Sequence, residues 1–288
     1  MLDNLEALAA LADCGTMNKA AVAIHISQSA ISKRIANLEF QLKQKLIEPN
    51  GRRVDLTPAA LRLLEKARPL ISELKESFLG EKAEASGTIV IDVAVSVLIS
   101  WGAEALAKVR KSLPNIELKV TSNHASVAVE RVRSGQSMLA LAQGIGKIAP
   151  ELQALQLYEQ TLVIVPAELK PFKIKSNKPI KLISMETYAE AGSIIQRGLR
   201  QVCSASNYHL EIDTFLQSFS AIAQMARAGF GHGLVPLDVA QTLGIPKSKL
   251  VSLPKPGITV PVSLITRRST FSRPLIQEFL KKLQAQVS

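Results

Sequence analysis

Residues 27–39 read SQSAISKRIANLE, and this stretch decides the fold of the first part of the chain. Ile31, Ile35 and Leu38 recur at i, i+4 and i+7, so a helix over this span buries one aliphatic stripe, and Ser27 is placed to cap its start. The other flank carries Gln28, Ser29, Ser32, Lys33 and Asn37, all able to hydrogen-bond. Upstream, Leu5, Leu8 and Leu11 predict a helix from about Asp3 to Asp13, with Gly15 as its stop. Thr16 then caps a second helix in which small Ala20 and Ala21 permit close approach, and Ile24 shares the face of Ala20. His25 and Ile26 leave room only for a tight turn. Two short helices joined by such a turn, the second presenting small polar side chains near its N-terminus, describe a helix-turn-helix whose second member enters a major groove. In that setting Gln28 can bond an adenine edge twice, Ser29 and Ser32 allow close backbone approach, and Lys33 or Arg34 reaches guanine or phosphate.

A solvated face of an ordinary helical bundle would carry the same residues, and the next segment separates the two readings. KLIEPNGRRVDLTP, residues 45–58, predicts a strand at Leu46–Glu48, an Asn50-Gly51 hairpin turn and a strand at Arg53–Leu56. Arg52 and Arg53 sit at its tip. A basic hairpin directly after a recognition helix is a wing, which touches phosphates or the minor groove. Charge agrees only locally. The chain of 288 residues has a formal net charge of +11, but residues 1–80 hold 11 basic against 9 acidic side chains. From Lys19 to Arg53 there are seven basic residues against Glu39 and Glu48.

The segment from Met17 to Leu61 resembles the LysR-type transcriptional regulators. Ala20, Ala21, Ser27, Gln28, Ala30, Ile31, Ser32, Ile35, Leu38 and Glu39, followed by Leu46, Gly51, Arg52, Leu56 and Thr57, match the family's N-terminal pattern without a gap. Ser29 stands where a proline is common. The resemblance implies a winged helix-turn-helix in which Gln28, Ser29, Ser32, Lys33, Arg34 and Asn37 face double-stranded DNA, with Arg52 and Arg53 on the wing. Thr57-Pro58 then starts a long helix, because proline at the first helical position loses no intrahelical bond. Leu64, Ala67, Ile71, Leu74 and Phe78 form a heptad seam along it. In the family this linker helix pairs with its mate, which implies a homodimer or a dimer of dimers on an interrupted inverted repeat. Pro69 should kink the helix.

Residues 81–87, EKAEASG, read as a hinge, and a β/α rhythm follows that implies a parallel sheet covered by helices. The expected architecture is α+β and multidomain: a DNA-binding domain over 1–57, a linker helix over 58–80, and a two-lobed α/β effector domain over 88–288, similar to periplasmic solute-binding proteins. Lobe I is expected at about 88–161 and 266–288, and lobe II at about 162–265, joined by strands crossing near 162 and 264. In such sheets ligands lie beyond the carboxyl ends of the strands. A small-molecule effector is therefore expected against Ser96, Ser100, Asn123, His124, Gln143, Ser193, Phe215 and Gly231, with Ser100 and Ser193 as helix caps; the glycines of the run Gly229–Gly233 more often serve a tight helix-to-strand turn than a phosphate cradle. The single tryptophan, Trp101, fits a pocket wall or the core equally well.

No Walker loop, HExxH, GxSxG or paired-cysteine motif is present, and the four histidines, His25, His124, His209 and His232, are scattered. No catalytic set, metal or cofactor is expected. A transport-type solute receptor would share the two lobes but has no use for a wing. A redox-sensing regulator could use only Cys203, because Cys14 lies in the other domain. The opening MLDNLEALAA has acids where a secretory signal has lysines, which predicts a cytoplasmic chain without membrane contact. As an activator, it would also meet RNA polymerase.

Overall fold

The computed structural model describes residues 1–50, 53–78, 87–174, 179–185, 190–206 and 208–287. The chain divides into two compact units, residues 1–82 and, apart from the turn at 134–136, residues 83–288.

The N-terminal unit contains α1 (Leu2–Cys14), α2 (Met17–Ala23), α3 (Gln28–Leu42), the antiparallel pair β1 (Ile47–Asn50) and β2 (Arg53–Leu56), and α4 (Pro58–Phe78). Its stops and starts follow from local chemistry. Gly15 takes φ 70° and ends α1, a left-handed conformation that costs glycine little. Thr16 Oγ1 accepts the Lys19 N–H, and Ser27 Oγ accepts the Ala30 N–H at 3.1 Å. Leu8 and Leu11 of α1, Ala20 and Ala21 of α2, and Ile31, Ile35 and Leu38 of α3 close a core with Leu46, Ala60 and Leu64. The first wing strand starts one residue later than expected, because Leu46 is drawn into this core with 0% exposure. It then continues through Pro49, which a two-stranded ribbon tolerates because each strand has an open edge. Helix α4 runs as one assigned helix past Pro69.

Of the seam expected along α4, the first three positions face inward, whereas Leu74 is 42% exposed. Leu64, Ala67 and Ile71 are buried within their own unit, at 3, 8 and 9% exposure. Arg68, on the same side, donates to both carboxylate oxygens of Asp13 (3.1 and 2.8 Å) and to the Ala9 carbonyl. Among the described side chains of α4, Leu61, Leu70 and Leu74 are exposed large apolar residues, and Leu70 and Leu74 with half-buried Leu63 make a stripe at i, i+7 and i+11 that shares only Leu74 with the expected seam. The heptad count could not distinguish these two stripes, because α1 lies against only one of them. The side chain of Phe78 lies outside the description, as do residues 79–86, which include most of the expected hinge.

The C-terminal unit is built on strands β3 (Gly87–Ala94), β4 (Ile116–Asn123), β5 (Leu139–Gln143), β6 (Leu152–Val165), β7 (Ile180–Met185), β8 (Leu210–Leu216), β9 (His232–Pro236), β10 (Val251–Ser252) and β11 (Thr259–Arg267). Strands are ordered β4-β3-β5-β11-β6-β9-β7-β8, with β10 paired to β6. A helical run covers Val95–Ser112: α5 (Val95–Val97), a π-helical turn at Leu98–Gly102, and α6 (Ala103–Ser112). Helices α7 (Ala125–Arg133), α8 (Glu190–Ser206), α9 (Phe219–Arg227), α10 (Leu237–Thr242), α11 (Arg268–Phe271) and α12 (Pro274–Gln284) complete it. No helix among the described residues is long and apolar enough to cross a membrane.

Two cores define two lobes. One gathers Ile89, Ile91, Val93, Leu139, Leu141, Val262, Leu264 and Phe279, and the other Leu162, Ile164, Leu182, Ile222, Leu234 and Val260. Strand β6 belongs to both. Its residues Leu152–Thr161 pair with β11, and Leu162–Val165 pair with β9, so it passes between lobes at 161/162. On the return, Val260 packs in the second core, whereas Val262 packs in the first and pairs with Gln143 of β5. The return strand has therefore reached the first lobe ahead of 265/266.

Candidate functional site

On α3, Gln28, Ser29, Ser32, Lys33 and Asn37 are all solvent-exposed, while Ile31, Ile35 and Leu38 are buried at 1% exposure or less. The sequence-predicted flank thus faces outward as a set. Arg34 departs from it. It is half-buried, and its guanidinium donates to Asp3 of α1 at 3.3 Å. It turns toward the first helix and away from the serines. Gly51 and Arg52 lie outside the described residues; Arg53 opens β2 opposite Asn50, and its side chain is likewise outside the description. Asn50 Nδ2 donates to Asp55 at 2.8 Å and closes the hairpin from its side chains.

A residue absent from the expected site holds wing and recognition helix together. Glu39, near the end of α3, accepts the backbone N–H of Leu46 (2.8 Å) and of Ile47 (3.3 Å), and its other oxygen meets Lys45 Nζ at 3.3 Å. Burial works against its charge. The two N–H donors and Lys45 more than offset this, so its pKa lies below the ordinary carboxylate value. A lone acid at the end of a basic helix was the available signal.

In the C-terminal unit, Asn123 and Gln143 end parallel strands β4 and β5, and Ser96 lies two residues beyond β3, so these three share the carboxyl edge of one lobe. Ser96 and Gln143 are buried, with the Ser96 hydroxyl donating to Gln143 Oε1. Asn123 donates its amide to both oxygens of Asp92 (3.0 and 2.9 Å), a role that does not use its carbonyl oxygen. His124 is exposed between β4 and α7. Ser100 is not a cap. It lies inside the helical run, and its hydroxyl donates back to the Ser96 carbonyl at 2.9 Å, because the helix starts at Val95. Ser193 also sits within a helix, α8, which is already helical at Glu190, and it is exposed.

Phe215, 41% exposed, lies at the carboxyl end of β8. The glycine run does not share that edge. Gly229–Gly233 leads from α9 into the start of β9, which runs parallel to β7 with His232 opposite Leu182. An α-to-β connection reaches the sheet at the amino end of its strand, the opposite end from the ligand-facing turns. Gly231 instead packs on Ile183, whose side chain lies 3.4 Å from where a Cβ would stand. Beyond the carboxyl end of β8 the sequence reading missed Ser218, which caps α9 by accepting the Ala221 N–H at 3.4 Å. A serine just before an apolar helix was the signal. Trp101 is half-buried against the first core, edge-on to Tyr158 with ring centroids 6.1 Å apart. Cys203 is half-buried, and its sulfur accepts the Leu210 N–H at 3.4 Å.

The N-terminal unit, residues 2–61, matches the bacterial regulatory helix-turn-helix protein model of the lysR family, and residues 82–288 match the LysR substrate binding domain. The chain belongs to the LysR family. It is a DNA-binding transcriptional regulator of LysR type with a C-terminal effector-binding domain. It is 27% identical over 288 residues to an HTH-type transcriptional regulator of Vibrio cholerae, covering 98% of this chain and 95% of that one. A full-length OxyR variant of Pseudomonas aeruginosa is similar in fold, with a TM-score of 0.76 at 14% identity, covering 100% and 94% of the two chains. So is full-length CbnR in complex with its target DNA, with a TM-score of 0.64 at 17% identity and 99% coverage of each chain.

Proposed function

We propose that this LysR-family regulator reads its operator through the outward flank of α3, with Gln28, Ser29, Ser32 and Lys33 at base edges or phosphates and Arg52 and Arg53 of the wing on the backbone. The observation that carries this is the sorting of α3 into a buried aliphatic stripe and an exposed hydrogen-bonding flank. Arg34 serves the module as a brace to Asp3. Quantitative binding of a selected duplex at several salt concentrations tests the assignment. Gln28→Ala should lose roughly 1–3 kcal/mol of discrimination at one base pair. Lys33→Ala should weaken all duplexes alike and flatten the slope of log K against log salt by about 1. An unchanged base preference in Gln28→Ala together with an unchanged slope in Lys33→Ala would refute it.

The protein acts as a homodimer, or a dimer of dimers, on an interrupted inverted repeat, paired through Leu63, Leu70 and Leu74 of α4. The exposure of Leu70 and Leu74, beside a face already committed to α1, supports this stripe over the buried one. Leu70→Lys should shift the protein toward monomer in sedimentation velocity without lowering its thermal midpoint. A dimer unaffected by that change would exclude the stripe. The effector, a small molecule, binds between the lobes against Ser96, Asn123, Gln143, Phe215 and Ser218, with Ser100, His124 and Ser193 at the rim. It shifts DNA binding only in so far as it favours one lobe arrangement over another. The regulator works in the cytoplasm, and as an activator it would contact RNA polymerase.

A further inference from the structure

Helix α3 carries one residue that neither the polar flank nor the core explains. Phe40 is 85% exposed, and it lies in the middle of the DNA-facing side. At 100° per residue, the exposed arc runs from Gln28 through Ser32, Ala36 and Ser29 to Lys33 and Asn37, and Phe40 falls between Ser29 and Lys33 in angle. Ala36 is exposed one turn before it, so the arc has an apolar continuation of two side chains. A phenyl ring left in water loses the free energy its burial would supply, and Phe40 is not among the side chains that form or pack on the core of its own unit. Its surroundings are basic, with Lys33 two turns back, Lys43 at the helix end and Lys45 just beyond. Such a setting repels most cationic partners and favours a polyanion.

We infer that Phe40 is an apolar specificity residue that packs on the C5-methyl group of a thymine in the operator, with Ala36 lining the approach. This rests on the reading of α3 as the groove-entering helix. The geometry fits: about 18 Å of helix separates Gln28 from Phe40 at 1.5 Å per residue, which spans about five base steps of 3.4 Å along the groove. Thymine is the one base that offers a methyl group in the major groove, and phenylalanine and alanine are among the side chains that meet it.

The test uses full-length protein. A preferred duplex is first enriched from a random library by the wild type, and each thymine in its half-site is then replaced singly by uracil, which removes the methyl group and leaves pairing unchanged. One of these replacements should weaken wild-type binding about three- to fivefold, the value of one buried methyl group. The same replacement should alter Phe40→Ala binding less than twofold, at an unchanged thermal midpoint. If every uracil duplex affects wild type and Phe40→Ala equally, the inference is overturned and DNA reading by the rest of α3 stands. If Phe40→Ala instead changes the oligomeric state without changing uracil sensitivity, the ring belongs to a protein contact and the inference is likewise overturned. A wild type that enriches no sequence would overturn the reading of α3 itself.

Discussion

Asp92→Ala is expected to destabilise the C-terminal unit by roughly 3 kcal/mol, toward the lower end of what breaking a buried ion pair costs. Asp92 sits in β3 with 0% exposure. Its carboxylate accepts Thr121 Oγ1 at 3.0 Å and, through both oxygens, Asn123 Nδ2 (3.0 and 2.9 Å), and Arg131 Nε of α7 stands 2.7 Å from Oδ2. Deleting it strands these donors against the sheet. The Arg131 side chain keeps 32% exposure and can recover part of its hydration, which places the cost near 3 rather than 5 kcal/mol. Asp92→Asn should also destabilise, because its NH2 would oppose donors already present. Urea unfolding followed by the fluorescence of Trp101, the single tryptophan, reads this unit selectively. The pair Asp92→Ala with Arg131→Met should be less damaged than the sum of the single changes, since the stranded charge is then gone. Strict additivity would show that Arg131 draws nothing from Asp92.

Glu39→Ala should cost the N-terminal unit about 2 kcal/mol, because hydrogen bonds to a charged group contribute roughly 1.5–3 kcal/mol and the Leu46 N–H would be left inside with no acceptor. The loss has a pH signature. The folded-state pKa lies below the ordinary value of 4.5, so the folded form holds fewer protons than the unfolded chain in that region. The contribution is therefore fully present above about pH 4.5 and disappears as pH falls through the depressed folded value. Thermal melts of wild type between pH 3 and 7 should show this acid loss, and Glu39→Gln should flatten it while keeping one acceptor for Leu46. Operator affinity should fall in step, since Glu39 fixes where β1 leaves α3. Glu39→Gln melts that track wild type through pH 4 would rule out this role.

Where the chain's own local chemistry sets structure, the sequence could be read directly. Thr16, Ser27 and Thr57 cap as expected, Gly15 stops α1, and the aliphatic spacing of Ile31, Ile35 and Leu38 identifies the buried side of α3. What depends on a distant partner could not be read this way. The α4 seam needed the position of α1, and the start of the helix containing Ser100 needed the π-helical turn that joins Val95–Val97 to α6. The first half of β6, LQALQLYEQ, alternates too weakly to announce a strand and is held by its pairing with β11. The glycine run is the helix-to-strand turn its composition favours, but only the parallel pairing of β9 to β7 shows that this turn lies at the other end of the sheet from Phe215. Asp92, an acid within the apolar run TIVIDVAV, was legible as an anomaly but gave no hint of Arg131, 39 positions away.

Strand β6 is a single span of 14 residues that crosses from one lobe to the other without a break, with β11 running antiparallel beside it. Near the crossing, Gln160 is 1% exposed and its amide is fastened to Asp238 of α10 at 2.9 Å. The two strands form one hydrogen-bonded ribbon whose register shifts between Val262 and Ser263, the kind of irregularity at which a ribbon bends. Any change in the angle between the lobes would have to bend this paired ribbon, in place of the free swivel that a glycine tether would permit.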